Sequence, residues 1–483
     1  MASVSPSTFV GKAIKFGTDG WRGIIAADFT FERVGKVAAL AAQVLEKTYG
    51  SNGSKTVIVG YDRRFLSPDF ARYAAEAIAA AGYEVMLSEC FAPTPAFSWA
   101  AFDQKALGAI VITASHNPAA YNGLKVKSAF GGSVPPEVTQ KVEAMLPGDA
   151  PVAESPGSIT EFDPWPSYCS ALQSMVDIEA IRTAVDEGRL TVFAEVMHGA
   201  AATGIGRLLE REVNEIDSEA DPLFEGGAPE PLPKYIPKLF KAIETKTNDG
   251  LTVGLIFDGD SDRIAGMDGK ATFLSSQVLI PILMEHLTQR RGMTGEVVKT
   301  ISGSNLFPAL AKLYDLPLYE TPIGYKYIAD RMLDAEVLIG GEESGGIGYG
   351  HHIPERDALL SALYLLEAVV QSGKDFGELN DSLREQTGFT ADYDRIDLPL
   401  ANMDVRAKLV SALESSTPTE VAGKKVDNCL TIDGYKFNLE DNSWLLIRFS
   451  GTEPVLRLYS EAGSIERVNE ILAWAKDWAN SVG

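Results

Sequence analysis

The sequence has few cysteines and no long hydrophobic run. Its three cysteines, Cys90, Cys169 and Cys429, are odd in number and far apart, so we expect neither a disulfide framework nor a zinc-binding pattern, and we predict a reducing compartment. The segment Met1 to Phe16 lacks the apolar region of a secretory signal, and stretches such as 278–284 are too short to span a bilayer. We therefore predict a cytoplasmic protein that does not bind a membrane.

Basic residues are also in deficit. The 483-residue chain has 43 Lys and Arg against 66 Asp and Glu, a net charge of −23. This balance argues against a nucleic-acid partner and against an anionic membrane surface. Any anionic substrate would need a local concentration of arginine and lysine. The length predicts several domains, and the 45% hydrophobic content is ordinary for a packed globular protein.

Two common catalytic motifs are absent as well. There is no G-x-x-x-x-G-K-[ST] for a nucleotide phosphate and no G-x-S-x-G nucleophile elbow. The chain has instead the loop Ile112–Pro118, ITASHNP, which follows the apolar run Ala109–Ile112. That run predicts a buried strand. Ligands of open α/β sheets bind outside the strand ends, so Ser115 would face a cleft; the alternative is an ordinary turn in which Ser and Asn satisfy backbone groups.

Strands alternate with helices through most of the chain, which predicts parallel or mixed sheets covered on both faces. Thr30 and Ser67 are candidate helix caps. The segment 147–166 is rich in Pro, Gly and Ser and predicts a linker. After Gly388, short strands and a final helix predict a smaller α+β unit. The expected domains are residues 1–150, 155–267, 268–388 and 389–483.

The strand Leu251–Phe257 leads into three alternating carboxylates, Asp258, Asp260 and Asp262. In an extended segment this spacing places them on one side, and three hard oxygen donors suit Mg²⁺. An EF-hand loop is excluded, because its sixth position would be Arg263 and its twelfth Gly269. The alternative is a solvated acidic turn.

Three further loops offer groups that bind sugars or phosphates. The segment Arg448–Pro454, RFSGTEP, combines an arginine with two hydroxyls and a glycine, and Arg457 follows on the next strand. This set could cradle a phosphate, although a tight hairpin would look similar. In the segment GEESGG, Glu342 and Ser344 could bind vicinal hydroxyls, or simply precede a glycine-rich cap. The loop Gly17–Gly23 presents Arg22, or forms a plain hairpin.

Four of these motifs in this order, ITASHNP, DGDSDR, GEESGG and RFSGTEP, resemble the α-D-phosphohexomutase superfamily over essentially the whole chain. The resemblance implies four domains around a central cleft, three of similar mixed α/β fold and a smaller C-terminal α+β domain. It implies that Ser115 carries a phosphoryl group, and that its phosphate and the three aspartates hold one Mg²⁺. The other implied site residues are Arg22, His116, Lys125 and Arg263 near the reacting groups, Glu342, Ser344, Lys326 and Arg356 for the sugar phosphate, and Arg448, Ser450, Gly451, Thr452 and Arg457 for the distal phosphate.

The sugar loop resembles the glucose-type loop of phosphoglucomutases. Mannose-tolerant members tend to have GEMSGH, with Met and His where this chain has Glu343 and Gly346. The implied reaction interconverts glucose 1-phosphate and glucose 6-phosphate through glucose 1,6-bisphosphate, with His116 or Lys125 moving the proton. A glucose 1,6-bisphosphate synthase, a phosphomannomutase and a non-catalytic sugar-phosphate-binding protein are the alternatives. Phosphate release to water lacks an evident water-activating base. We expect hexose phosphates as partners and a monomer or dimer.

Overall fold

The computed structural model describes residues 12–17, 19–247, 250–449 and 454–482. Within these ranges the strands form four sheets, three of mixed direction and a last one that is antiparallel. This confirms the prediction of three α/β units followed by a smaller α+β unit. No helix in the described part of the chain combines the length and apolar character that crossing a bilayer requires.

The first unit is a sheet with helices on both faces. In chain order its elements are β1 (Phe16–Gly17), β2 (Gly20–Ile24), α1 (Phe31–Tyr49), β3 (Thr56–Tyr61), α2 (Ser67–Ala80), β4 (Glu84–Ser88), α3 (Thr94–Asp103), β5 (Gly108–Ile112), β6 (Tyr121–Ser128), α4 (Pro136–Met145) and β7 (Ile159–Phe162). The strand order is β1-β2-β6-β5-β3-β4-β7. Every residue of β5 is buried, and β6 returns antiparallel beside it with Lys125 opposite Val111.

The helix caps and the linker of this unit were predicted with mixed success. Thr30 caps α1 by accepting a hydrogen bond from the backbone N–H of Arg33. The Ser67 cap is wrong: Leu66 holds the cap position in a left-handed conformation, and Ser67 is already helical. The prediction of a linker is wrong for residues 159–162, because β7 pairs in parallel with β4 and extends the first sheet.

The second unit carries the acidic motif at the end of a buried strand. Its elements are α5 (Trp165–Gln173), α6 (Ile178–Asp186), β8 (Leu190–Glu195), α7 (Gly204–Leu209), β9 (Asn214–Ile216), α8 (Pro237–Glu244), β10 (Leu251–Phe257), β11 (Ile264–Met267) and β12 (Phe273–Leu274). Strand β10 lies between β8, which is parallel to it, and β11, which is antiparallel. The loop from β10 to β11 therefore carries residues 258–263 at the carboxyl end of β10.

The third unit carries the GEESGG segment, residues 341–346, which also begins at the end of a buried strand. Its elements are α9 (Ser276–Glu285), a π-helical turn (His286–Arg290), β13 (Glu296–Thr300), α10 (Leu306–Leu313), β14 (Leu318–Thr321), α11 (Tyr325–Asp334), β15 (Val337–Gly341), β16 (Ile347–Gly348), α12 (Ala358–Ser372) and α13 (Phe376–Thr387). Strand β15 is buried throughout and is parallel to β13. Residues 342–346 connect it to β16, again at a strand's carboxyl end.

The fourth unit is an antiparallel sheet with two helices. Its elements are β17 (Asp392–Pro399), α14 (Met403–Ser415), β18 (Glu420–Val421), β19 (Lys424–Leu430), β20 (Tyr435–Leu439), β21 (Trp444–Phe449), β22 (Val455–Ala462) and α15 (Ile465–Val482). The strand order is β17-β22-β21-β20-β19-β18. Arg448 and Arg457 face each other across the pairing of β21 and β22.

The hydrophobic cores divide the chain unevenly. One continuous core includes residues of the first three units, such as Phe97, Phe257 and Leu363. The fourth unit has a separate core between its sheet and its helices. A small apolar cluster, in which Ile301 meets Trp444, joins the third and fourth units. The first three units are therefore packed as one body, whereas the fourth is joined to it through a limited contact.

Candidate active site

A cleft of about 1370 Å³ lies between the four units. Eight of the residues predicted for the site line it, and Ser115, Lys125 and the three aspartates are buried beside it. The eight are Arg22, His116, Arg263, Glu342, Ser344, Arg356, Arg448 and Arg457. Lys326 instead lines an adjoining cavity of about 380 Å³ that shares Asp19 with the cleft. Ser450, Gly451 and Thr452 lie outside the described residues.

Ser115 is held in one position at the end of β5. Its backbone has a φ of 51°, a left-handed conformation that is uncommon for serine. Its N–H donates to Thr113 Oγ1 at 2.9 Å, and its carbonyl accepts from the Arg64 guanidinium at 2.6 Å. Strain of this kind persists only where surrounding bonds fix it, and it is common at functional sites. The loop therefore presents the Ser115 hydroxyl in a defined direction.

The Ser115 hydroxyl contacts the acidic motif directly. Its Oγ donates to Asp258 Oδ2 at 2.9 Å and lies 3.3 Å from His116 Nδ1. Burial, and then the charges of Arg263 and Arg22, lower the pKa of His116 well below its usual value. His116 is therefore a neutral imidazole beside the hydroxyl and is able to accept a proton.

The three aspartates are brought together by a turn rather than by an extended segment. Ser261 has a φ of 59°, so the prediction of alternating side chains along an extended strand is wrong in its local geometry. The turn is closed because Asp258 Oδ1 accepts from the N–H groups of Asp262 and Arg263. The carboxylate oxygens of Asp258, Asp260 and Asp262 nevertheless lie within 4.8 Å of one another and are buried.

This oxygen cluster fits a hard divalent cation. Asp260 Oδ1 and Asp262 Oδ1 are buried and have no hydrogen-bond partner among the described residues. Buried carboxylate oxygens without partners are costly unless a cation compensates them. Carboxylate oxygens are the donors that Mg²⁺ prefers. The three aspartates together with an oxygen on Ser115 therefore form a suitable set for Mg²⁺.

Lys125 places a buried positive charge next to this cluster. Its Nζ lies 2.8 Å from Asp260 Oδ2, 2.8 Å from Asp262 Oδ2 and 2.7 Å from Asp19 Oδ2. Burial alone would lower the pKa of Lys125, but these three carboxylates outweigh burial and raise it. Lys125 is therefore held as a charged ammonium group.

Asp258 and Asp260 differ in how they titrate. Burial, then the charges of Asp262 and Asp260, raise the pKa of Asp258 well above its usual value. Burial also opposes ionisation of Asp260, but Lys125 lowers the pKa of that carboxyl below its usual value. The proton affinity is thus greater at Asp258, which contacts the Ser115 hydroxyl, than at Asp260.

The sugar loop is joined to the acidic turn by backbone contacts. Arg263 forms an isolated β-bridge with Gly346, and the Ile264 N–H donates to the Gly345 carbonyl at 3.0 Å. The Ser276 hydroxyl also donates to the carbonyls of Glu342 and Glu343. The two loops, which come from different units, are consequently fixed relative to each other.

Glu342 is a buried carboxyl in this loop. Burial raises its pKa to about 7, against the opposing influence of Arg356. Gly346 has a steric reason to lack a side chain, because a Cβ there would meet Arg356 Cδ at 2.4 Å. The Arg356 side chain thus passes over the loop, and its guanidinium lies 2.7 Å from Asp262 Oδ2.

The arginines of the fourth unit face the cleft but are paired within their own unit. Arg448 Nε donates to Asp433 Oδ2 at 3.0 Å, and the same oxygen accepts from the Ile323 N–H at 3.0 Å. Arg457 Nε lies 3.9 Å from Asp397 Oδ2. The contacts with described residues leave further donors on both side chains for an anion, since each guanidinium has five N–H groups.

Arg22 and Lys326 contribute from the edges of the site. Arg22 donates to Asn117 Oδ1 at 2.7 Å, and so contacts the loop that carries Ser115. Lys326 lies in the first turn of α11, with its Nζ 4.7 Å from the centre of the Tyr327 ring.

Several important residues were not predicted from the sequence. Arg64 is buried and donates to the carbonyls of Ser115, Asn117, Pro118 and Tyr121. Asp19 accepts from Lys125, and Thr94 Oγ1 donates to Asp260 Oδ2 at 2.6 Å. Arg64 could have been found, because it lies just after β3, where strand ends face the ligand.

The chain is similar to known proteins over nearly all of its length. Models described as phosphoglucomutase/phosphomannomutase α/β/α domains I, II and III and the C-terminal domain match residues 13–150, 166–271, 275–386 and 401–474. A phosphoglucomutase/phosphomannomutase of Thermococcus kodakarensis is 29% identical, with 95% of this chain and 96% of that protein covered. A phosphoglucosamine mutase of Carboxydothermus hydrogenoformans is 27% identical, with 95% and 97% covered.

A solved structure is also similar over the whole length. The crystal structure of a Thermus thermophilus protein described as a phosphomannomutase has a TM-score of 0.83 and 32% identity, covering 97% of this chain and all of that chain. Fold, site and comparisons together define a phosphohexomutase, an enzyme that moves a phosphoryl group between positions of a hexose. The chain belongs to the phosphoglucomutase/phosphomannomutase family.

Proposed function

We propose that this phosphohexomutase is a phosphoglucomutase that interconverts glucose 1-phosphate and glucose 6-phosphate through a phosphoserine at Ser115. The observation that carries the proposal is the contact between the Ser115 hydroxyl and Asp258, next to His116 on the wall of the cleft. It brings a phosphoryl acceptor and an acidic cluster together beside a cavity large enough for a hexose phosphate. Glucose 1,6-bisphosphate is the expected intermediate, because each half-reaction adds a phosphate to a sugar phosphate or removes one.

Asp258, Asp260 and Asp262, with the phosphate on Ser115, would hold Mg²⁺. A bound Mg²⁺ neutralises charge on a transferring phosphoryl group. A structure of an Aspergillus fumigatus N-acetylphosphoglucosamine mutase, with 14% identity and a TM-score of 0.61, is described as a complex with GlcNAc-6P and magnesium. That protein shares the fold, and the donor set at the three aspartates agrees with the same metal here.

The residues of this chain position the reacting groups and the protons. Arg64 and Thr113 fix the backbone of Ser115. Asp258 Oδ2 already accepts the hydrogen bond of the Ser115 hydroxyl, so an acceptor for that proton is in place when the serine is phosphorylated again. We assign the sugar hydroxyl's proton to His116, which is neutral, whereas Lys125 is held as an ammonium group by three carboxylates and would stabilise negative charge at the site.

Arg448 and Arg457 would bind the phosphate that is not reacting. They lie on the wall of the cleft formed by the fourth unit, whereas Ser115 belongs to the first. Both retain N–H donors, and arginine binds phosphate oxygens with charge-assisted bonds. We propose the same role for Ser450, Gly451 and Thr452 on the basis of the sequence motif.

The proposed preference for glucose rests on the loop of residues 342–346. Glu342 and Ser344 line the cleft and offer acceptors to adjacent hydroxyls. A site that hydrogen-bonds a hydroxyl rejects an epimer that leaves its buried polar groups unpaired. A second candidate substrate is glucosamine phosphate, because several matched relatives are described as phosphoglucosamine mutases and the Glu342 and Glu343 carboxylates could attract an amine.

The test measures kcat/KM for glucose 1-phosphate, mannose 1-phosphate and glucosamine 1-phosphate. Glucose 1-phosphate should give the highest value. Glu342→Gln should lower kcat/KM for glucose 1-phosphate, while Glu440→Gln, an exposed residue beyond β20, should leave it unchanged. A higher wild-type value for glucosamine or mannose 1-phosphate would refute the assignment of substrate.

A glucose 1,6-bisphosphate synthase would use the same residues and differs in what it releases. Product analysis separates the two: a mutase forms glucose 6-phosphate in stoichiometric amounts and needs only catalytic amounts of bisphosphate. A synthase accumulates glucose 1,6-bisphosphate at the expense of a bisphosphorylated donor. Accumulation of the bisphosphate as the main product would overturn the mutase assignment.

A further inference from the structure

A second cluster of potential metal ligands lies in the second unit, apart from the three aspartates. It consists of His198, Asp217 and Glu225, whose ligand atoms lie within 4.8 Å of one another. His198 is in the loop after β8, Asp217 directly follows β9, and Glu225 is in the turn Phe224–Gly226. None of the three lines the cleft described above.

The histidine has the tautomer and direction of a metal ligand. His198 is 8% exposed, and its Nδ1 lies 2.8 Å from the carbonyl oxygen of Glu219. Because a carbonyl oxygen can only accept, Nδ1 carries a proton, and in the neutral imidazole the lone pair is then on Nε2. Nε2 is buried without a hydrogen-bond partner among the described residues and lies 3.8 Å from Asp217 Oδ1. Metal-binding histidines usually have this arrangement, with the second ring nitrogen donating to an oxygen.

A cation already occupies the space between the two carboxylates. Lys238 Nζ lies 2.5 Å from Asp217 Oδ1 and 2.5 Å from Glu225 Oε1. The Lys238 side chain is about half exposed, so solvent screens its ion pairs and it can move into solvent at little cost. Its position shows that this cluster favours positive charge, and that a stronger cation could replace the ammonium group.

The ligand residues are held by an unusual backbone. His198, Asp217 and Glu225 have φ values of 56°, 52° and 50°, in the left-handed region that non-glycine residues rarely adopt. The His198 N–H donates to the Asp217 carbonyl at 2.7 Å, which joins the two loops directly. The three side chains therefore converge because of a fixed backbone rather than through flexible surface loops.

We propose that His198, Asp217 and Glu225 form a second metal site that binds Zn²⁺ or a similar divalent transition metal. An imidazole nitrogen with two carboxylates is a mixed donor set that suits zinc, whereas Mg²⁺ prefers oxygen donors alone. Zinc–ligand distances are about 2.0–2.2 Å, which places ligand atoms up to ~4 Å apart across the ion. Small side-chain rotations would close the present arrangement to that size.

The proposed metal site would stabilise the support of the loop that carries Ser115. The segment from Asp217 to Glu225 contacts the first unit twice: the Ser218 carbonyl accepts from Arg63 at 2.6 Å, and the Phe224 ring lies 4.9 Å from the Arg64 guanidinium carbon. Arg64 in turn binds the Ser115 carbonyl. A metal ion that ties this segment to β8 would therefore stabilise the support of Arg64.

Isothermal titration of Zn²⁺ into the full chain tests the site, with excess Mg²⁺ present throughout to saturate the three aspartates. We expect one Zn²⁺ per chain. His198→Gln and Glu225→Gln should each weaken that binding by more than about tenfold. Glu244→Gln, an exposed carboxylate on α8 of the same unit, is the matched control and should leave it unchanged.

Lys238→Met provides a test that does not depend on removing a buried ligand. Because the substitution removes the competing ammonium group, Zn²⁺ should bind more tightly than to the wild type. Anomalous diffraction at the zinc edge should place the ion next to His198 Nε2. The proposal is overturned if no Zn²⁺ binds in excess Mg²⁺, if His198→Gln binds as tightly as the wild type, or if Lys238→Met leaves the affinity unchanged.

Discussion

Lys125 offers the sharpest test of the electrostatics of the site. Its ammonium group is buried and forms ion pairs of 2.7–2.8 Å with Asp19, Asp260 and Asp262. Lys125→Met keeps the length of the side chain and removes the charge. Three carboxylates then remain in the interior with less compensation, although Arg356 still contacts two of them.

The expected loss of stability follows from the burial of the pair. Removing one partner of a buried ion pair costs about 3–5 kcal/mol. No discount for solvent screening applies, because the Lys125 side chain is 1% exposed. At roughly 2–4 °C per kcal/mol for a large domain, the melting temperature measured in a chelator should fall by at least about 6 °C.

Mg²⁺ should reverse part of this loss. An ion that binds only the folded state stabilises it by mass action, and Lys125→Met removes the cation that competes for Asp260 and Asp262. The melting temperature of Lys125→Met should therefore rise more with Mg²⁺ than that of the wild type, although its turnover is lost. Lys141→Met, on the exposed face of α4, is the control. Equal Mg²⁺-induced shifts in Lys125→Met and the wild type would refute this reasoning.

Three further variants test the other parts of the site. Ser115→Ala should fold normally, lose nearly all turnover and lack the phosphate adduct that intact-mass analysis should find on part of the wild-type protein; wild-type rates would refute the phosphoserine. Asp260→Asn keeps the shape but removes a charge, so Mg²⁺ should no longer raise its melting temperature or support activity, and activity in excess chelator would exclude this metal site. Arg448→Ala should lose about 1.5–3 kcal/mol of phosphate binding, seen as a rise of about 10- to 150-fold in KM with a smaller change in kcat; an unchanged KM would indicate a purely structural role.

The parts of the fold that were predicted correctly are those that the local sequence pattern determines. The apolar run Leu251–Phe257 predicted a buried strand with the correct ends. The predicted loops carry Ser115, the aspartates and Glu342 because each directly follows such a strand. The Thr30 cap of α1 was also predicted correctly, because a threonine side chain can accept a hydrogen bond from the first helical turn.

The errors and omissions are in contacts that local pattern does not decide. Ser67 looked like a helix cap, but Leu66 takes that position because Ser67 Oγ donates instead to Asp62. Asp19 and Lys125 are more than a hundred residues apart in the chain, and no pattern in either segment predicts their ion pair. The acidic motif was correctly assigned to one cluster for an incorrect geometric reason, since a left-handed Ser261 turns the chain there.

The separate core of the fourth unit has a consequence for how the substrate can move. The first three units share one hydrophobic core, so relative motion among them would expose apolar surface. The fourth unit meets them through the small Ile301–Trp444 cluster and through polar contacts such as that between Asp433 and the Ile323 N–H. An interface of this kind permits hinge motion. In the reaction proposed above, such a motion of the fourth unit would move Arg448 and Arg457 relative to Ser115 and so change the room available to the substrate.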